Sequence, residues 1–519
     1  MQRASVFALG LSFVLGALAD LLAASSAPKR GGTVTLAVSR DMTVMNPLVD
    51  TSSTQARIRE LMFEPLLGID LQGNLRPNLA ESWEVSPDRR LYTFRLRRGV
   101  KFHNDREMTA DDVKFAIDYT MNPKNGARGY QELAVVENVT AADKYTLRMH
   151  LKRPIPAFLY LLTDIAAFSV IPKGSLEEGV RNPGKFAPGT GPFKFTEWLP
   201  QQRIVMTRFD GYWGQKALVE QVVLRVINDI TVRFTALRAG DVDMIERAPY
   251  EWVKEIAQGK LKGLSFVPAP YAGGRAIEFN VVDPPFDNKK LRLAVAHAID
   301  RKEILDAAYF GFGEVSDQRY PKGHRWYIDG VPAPAYDVSR ARNLLREAGY
   351  KGEPIEIMGN LGEQAEVEAA VIQSQLRRIG MNVQIRMMDR GAAFEARRKG
   401  RYAFKLAGGG SVGPDPVDSY LPIHVCEPDP RRRNQNETGY CDRQMDAWLK
   451  EAQAEHDEEN LRQLLKKIIA KINDDVPEIL IGFTPRFFAM RDFVKGFTTN
   501  HEGDFRWWGG GMNYVWLDK

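Results

Sequence analysis

Cysteine and histidine are scarce in this chain, whose 519 residues hold two Cys and seven His. Two thiols exclude a multiply cross-linked scaffold, and the imidazoles form no cluster at metal-ligand spacing. Charge of one sign is also missing, since 71 basic and 66 acidic residues leave a net charge of +5. That balance produces no strong field for nucleic acid or an anionic membrane, so neither is an expected partner. The longest basic run, Arg431 to Arg433, lies among Pro428, Asp429, Pro430 and Asn434 and reads as a solvated loop. Beyond the amino-terminal region no stretch approaches ~18 uninterrupted apolar residues, so no later segment is expected to span a membrane. The HExxH, GxxxxGK[ST] and CxxC patterns are absent, which removes the motif basis for zinc proteolysis, phosphate-loop chemistry and dithiol redox work.

What is present begins with a targeting pattern. Arg3 precedes VFALGLSFVLGALADLLAASSA, an apolar stretch ending in small residues, as in a secretory signal. Asp20 interrupts it, and a carboxylate at mid-bilayer costs roughly 2.5 kcal/mol or more, which disfavours a permanent membrane helix. Cleavage is expected near Ala24 to Ala27, making residues 1–27 the signal peptide. No Cys lies there for lipid attachment, so the mature chain is expected to diffuse freely in the periplasm. In that compartment Cys426 and Cys441, 15 positions apart, are expected to pair, and closing such a loop is worth roughly 3 kcal/mol. The alternative, a metal site, has only His424 nearby.

The chain is too long for one ordinary core, so two or three lobes are expected. TVTLAV after Gly32 reads as a strand, with a helix from about Thr54 to Met62. In LYTFRLRR, Tyr92, Phe94 and Leu96 alternate with Thr93, Arg95 and Arg97, the period of a half-buried strand. Thr109 opens a helix with Asp112 three residues later, resembling a capping box. The region near residue 190 reads as a hairpin. VVLRVI, a helix at 231–239 stopped by Gly240, and DVDMI suggest a parallel pair with a right-handed crossover. A second α/β region follows, with Asp287 capping NKKLRLAVAHAI, Asp300 and Glu303 forming another box, and Ser339 starting SRARNLLREAG. The strands PIEIMGN and NVQIRMM flank a helix ending at Gly380. The aromatic segment 483–519 is expected to return to the first lobe.

Chemistry has few places to reside. His103 lacks nearby Cys, Ser or His and reads as scaffolding beside apolar neighbours. GGGSVGPDP at 408–416 satisfies both G-x-S-x-G around Ser411 and G-x-G-x-x-G. Each motif needs a helix directly after the glycines, whereas Pro414 and Pro416 favour an irregular loop. Paired carboxylates such as Asp241 with Asp243, or Asp415 with Asp418, read as turns or caps.

NLAESWEVSPDRRLYTFRLRRGVKFHNDREMTADDVKFAI resembles the signature of the family 5 extracellular solute-binding proteins, which serve ABC importers for peptides, nickel and related solutes. GTGPFKF, PFDNKKLRLAVAHAIDRKEI, ARNLLREAGY, GPDPVDSY and ETGYCDRQMDAWLKEA continue the likeness over nearly all of the chain after Gly31. The resemblance implies an α/β bilobed periplasmic binding protein fold of type II, the large peptide-binding class, with a third subdomain inserted in the first lobe. Lobe one would comprise residues 28–66, 190–270 and 488–519, the insert 67–189, and lobe two 271–487. The implied function is capture of a peptide or peptide-like solute by a monomer between the lobes and delivery to inner-membrane permease subunits, with no cofactor and no catalysis.

Family members that bind a peptide's ammonium use an Asp beside a Trp in the loop matching 408–416. Here the Trp is missing, the aligned position falls near Val412, and Asp415 is close by. The residues expected to line the cleft are Asn46 and Thr54 from the first lobe, Tyr271 and Arg275 near one crossover, Ser411 and Asp415 in the polar loop, and Arg486 near the other crossover. An Arg at a hinge suits a bidentate pair with an anionic solute. The competing readings are a secreted hydrolase built on Ser411, a periplasmic chaperone with a peptide-sized groove, and, within the family, a nickel carrier, for which His424 alone is present.

Overall fold

A computed structural model of the chain describes residues 27–42, 46–49, 53–70, 73–155, 158–165, 168–176, 187–409, 416–427, 436–500, 504–507 and 509–519. Its spine is a mixed sheet built from β1 (Thr33–Val38), β2 (Phe193–Leu199), β3 (Arg203–Arg208), β4 (Gln221–Val226), β5 (Met244–Glu246), β6 (Leu264–Phe279), β7 (Ile355–Asn360), β8 (Val383–Met388), β9 (Phe404–Gly409) and β10 (Glu478–Arg491). They lie in the order β8-β7-β9-β6-β10-β5-β1-β4-β3-β2, and the short strand Glu314–Val315 adds to β10.

β6 and β10 run through both lobes. Leu264 to Ala269 pair with Arg491 to Arg486, the register shifts, and pairing resumes from Gly273 with Thr484 toward Glu278 with Glu478. On one side Val34, Leu36, Met206, Leu224, Phe488 and Met490 share a core; on the other, Ile277, Phe279, Ile357, Val383, Phe404 and Ile481 form a second. The aromatic carboxyl-terminal segment returns to the first core through Phe497, Phe505, Met512 and Val515.

The expected parallel pair of VVLRVI and DVDMI differs in one respect. β4 and β5 are each parallel to β1, which lies between them. Val34, Leu36, Ala37 and Val38 are wholly buried, and their backbone needs a ladder on either side, which a central position supplies.

The segment between β1 and β2 carries its own antiparallel sheet, with Ala80–Val85, Leu91–Leu96, Thr146–Leu151 and Val136–Asp143 side by side in that order. Tyr92, Phe94 and Leu96 are buried and Arg95 is exposed, as the alternation requires. The Thr109 amide donates to Asp112 Oδ2 at 2.9 Å, closing the capping box, and the same buried carboxylate accepts from the Lys173 amide at 2.9 Å.

Three helix starts differ from expectation. Asn288, not Asp287, caps Lys289–Ala298 by accepting from the Lys290 amide. Asp337 caps the helix that begins at Val338 rather than Ser339. Asp300 caps its helix, but the Glu303 carboxylate turns to Gln375 and Arg378 instead of closing a box. Cys426 and Cys441 form the expected disulfide.

His103 joins this smaller sheet to the start of β2. Its Nδ1 accepts from the Gly189 amide at 3.1 Å, its Nε2 lies 3.0 Å from the Gly191 carbonyl, and Phe209 meets it edge-on. Both glycines press on the end of the helix Ser53–Met62, where a Cβ at Gly189 would stand 1.8 Å from the Met62 carbonyl oxygen. Burial pulls the imidazole down to about 4, a shift the Gly191 carbonyl opposes and Lys194 adds to. The ring therefore ties these two segments together.

A depressed imidazole contributes stability that is complete above its unfolded value near 6.5 and is lost as pH falls toward 4. His103→Gln is expected to flatten the stability–pH curve between about pH 6.5 and 4, a span worth about 3 kcal/mol in the parent. Chemical denaturation at stepped pH measures this, and equal slopes in parent and variant would contradict it.

Gly482 marks where three strands meet, with a φ of 151° and Glu314 so near that a Cβ would stand 2.1 Å from its carbonyl oxygen. Gly482→Ala is expected to destabilise the chain by about 3 kcal/mol or more, since strain and overpacking add, as read from the urea midpoint.

Candidate ligand-binding site

Where β6 and β10 pass between the lobes, a cavity of about 490 Å³ opens beside them. That volume lies in the range of small-molecule sites. Its first-lobe wall comes from Ile230, Arg247 and Tyr250, with Arg486 and Phe487 beside it on β10. The opposite wall comes from Arg275 and Tyr309, from the turn after β7 at Asn360 and Gly362, and from Arg390 and Arg397.

Local structure explains each placement. β5 ends at Glu246, and Arg247 takes a left-handed φ of 54°, redirecting the chain into the helix Tyr250–Ala257. The Tyr250 hydroxyl donates to the Pro485 carbonyl at 2.6 Å, tying that helix to β10. Arg390 and Arg397 lie seven positions apart on the helix Arg390–Arg398, so they share one face.

Arg275 is held by a buried carboxylate. Its Nε donates to Glu368 Oε1 at 2.7 Å, its Nη2 donates to Oε2, and the Tyr309 hydroxyl donates to Oε1 at 2.7 Å. Burial, and then Glu368, push the Tyr309 hydroxyl up. Burial works against the charge on Arg275, but Glu368 outweighs it and raises the guanidinium.

Arg486 behaves in the opposite way. Burial, with Arg247 and Arg57 adding positive charge nearby, pulls it down to about 10. Beneath the first-lobe wall Arg57 donates to Glu60 at 2.9 Å and lies 3.9 Å from Glu246, whose carboxylate accepts from the Ser39 amide and hydroxyl.

Of the residues expected to line the cleft, Arg275 and Arg486 border this cavity. Asn46 and Tyr271 are not among the lining residues. Asn46 donates to the Tyr119 hydroxyl at 3.1 Å and accepts from the Leu48 amide. The half-buried Tyr271 ring packs edge-on against Phe483 and meets Glu314. Thr54 lies on the helix Ser53–Met62, and Ser411 and Asp415 lie outside the described residues. His424 is buried, with Nδ1 2.9 Å from the Tyr420 carbonyl and Nε2 3.4 Å from Glu478. Among the described residues no group of three or more His, Cys, Asp or Glu has metal-binding geometry.

The sequence reading missed Arg247, Tyr250, Arg390 and Arg397. The seven-residue spacing of the last two was a usable signal; Arg247 had none, because its exposure at the cavity follows from a backbone conformation.

Residues 74–429 match the family model of bacterial extracellular solute-binding proteins, family 5, middle. The chain belongs to this family. As a family 5 solute-binding protein it is 28% identical over 459 residues to the dipeptide-binding protein of Escherichia coli K12, covering 82% of this chain and 84% of that one. It is 30% identical to the glutathione-binding protein GsiB of Salmonella choleraesuis, over 71% and 72% of the two chains. The fold is similar to the periplasmic binding protein DppA from Helicobacter pylori in complex with the peptide STSA, with a TM-score of 0.76, 26% identity, and 95% and 99% of the two chains covered. The architecture is thus the bilobed type II periplasmic binding protein fold, and family 5 proteins are substrate-binding proteins, not enzymes.

Glu368 is wholly buried, so removing its partner strands a charge. Arg275→Leu is expected to cost about 3–5 kcal/mol, and Arg275→Leu with Glu368→Leu to recover most of it. Equilibrium urea unfolding of the two variants measures the difference, and equal losses would contradict it.

Proposed function

We propose that this protein is the periplasmic capture component of an ABC importer, taking a peptide or peptide-like solute between its lobes and presenting it to permease subunits in the inner membrane. The single observation that carries this reading is the cavity at the β6–β10 crossing, walled by side chains from both lobes. A solute touching both walls makes contacts that exist only when the lobes are close, so binding and closure are linked. The matched relatives, one named for dipeptides and one for glutathione, support the solute class.

The proposal includes an exported monomer, without lipid, released from a signal peptide at residues 1–27. It places lobe one at 28–66, 190–270 and 488–519, the insert at 67–189, and lobe two at 271–487. It assigns ligand contact to Arg275 and Arg486, and retains Asn46, Thr54, Tyr271, Ser411 and Asp415 as candidates for the closed state.

A cognate solute present at a hundredfold excess over Kd is expected to stabilise the chain by ~2.7 kcal/mol, seen as a rise in Tm, and to contract its X-ray scattering profile. A broad peptide library that moves neither quantity would remove the proposal.

A further inference from the structure

The capture reading leaves open which solutes the cavity accepts, and the sign of its walls bears on that choice. Five arginines line it, Arg247, Arg275, Arg390, Arg397 and Arg486, and among the described residues no Asp or Glu does. Its other polar lining groups, including Asn360, Gln364 and Thr484, are neutral.

Only part of this charge is answered by the surrounding carboxylates. Glu368 stands behind Arg275, and Glu437 lies 3.5 Å from Arg397 while also meeting Lys405 at 2.9 Å. Glu60 pairs with Arg57 below the wall, and Glu246, near Arg57, also acts on Arg486.

The arginines are also divided across the opening. Arg247 belongs to the first-lobe wall, Arg275 and Arg486 lie on the strands β6 and β10, and Arg390 and Arg397 project from one helix of the opposite wall. Bringing these walls together drives like charges toward each other unless an anion sits between them. Guanidinium is suited to that task, because it stays charged and grips carboxylate or phosphate through two parallel hydrogen bonds. A further donor set points the same way. The helix Glu363–Arg378 starts beside the cavity at Gly362, a cap that offers no side-chain acceptor to its first amides, and such an end favours negative charge.

We infer that the solute selected here carries at least two oxyanion groups, carboxylate or phosphate, and is clamped by arginines of both lobes. This rests on the capture reading.

Isothermal titration of the mature chain with Glu-Glu, citrate and fructose 1,6-bisphosphate, against Ala-Ala and Lys-Ala, tests the inference. At least one anionic probe is expected to bind tenfold or more tighter than Ala-Ala, and the identity of that probe separates carboxylate from phosphate. Its affinity is expected to fall as salt rises, and to fall tenfold or more in both Arg247→Ala and Arg390→Ala, which change exposed side chains on opposite walls. Ala-Ala or Lys-Ala binding as tightly as every anionic probe would overturn the inference while leaving capture intact. Anion binding indifferent to salt and to both variants would also overturn it. Silence toward all five probes and toward a broad peptide library would instead bring down the capture reading, and this inference with it.

Discussion

Two strands that belong to both lobes, β6 and β10, are the constraint on which the rest of this structure depends. Their pairing runs from Leu264 with Arg491 to Glu278 with Glu478. Any motion of one lobe against the other must bend or twist this ribbon, since neither chain can leave the sheet without losing its ladder. The ribbon is weakest where its register shifts, between Ala269 and Gly273 and again between Arg275 and Ala276. Irregularities of this kind bend strands locally. The cavity opens beside those positions, with Gly273, Gly274 and Arg275 in its lining.

Buried charge is distributed to suit that arrangement. Each lobe anchors its own guanidinium near the crossing: Arg57 among Glu60, Glu246 and Asp504 in the first, Arg275 against Glu368 and Tyr309 in the second. A buried ion pair adds little net stability over apolar packing, but it penalises any rearrangement that separates its members. Separating either guanidinium from its carboxylates would strand a buried charge. Further into lobe two, Arg319 and His424 meet Glu478 at the end of β10; burial would raise that carboxyl, yet Arg319 and His424 hold it down at about 2.

Much of the scaffold was legible because it obeys short-range rules. The alternation of Tyr92, Phe94 and Leu96, the Thr109 capping box and the stop at Gly240 depend on neighbours within a few positions. The block GTGPF has a local reason that no pattern of its own displays: Gly189 and Gly191 allow the chain to press on Met62 while His103 ties both. Failures came where the rule is non-local. The insertion of β1 between β4 and β5 depends on sheet order, which periodicity does not encode. Asp287 lost the cap to Asn288 because adjacent Asp and Asn are equally good candidates.

The cavity was legible only in part, for a related reason. Arg275 and Arg486 could be anticipated because they lie on the crossing strands themselves, whose position follows from the architecture. Arg247 and Arg390 stand after the ends of β5 and β8, at turns whose direction is set by local backbone geometry such as the left-handed φ of Arg247. Substitution at such turns costs the fold little, because they carry few core contacts, whereas substitution within β6 or β10 disturbs both lobes at once. A scaffold with this division can exchange its solute while keeping its closing ribbon. It follows that the likeness to peptide carriers speaks for the ribbon and the two lobes, and that the charge of the guest must be read from the turns.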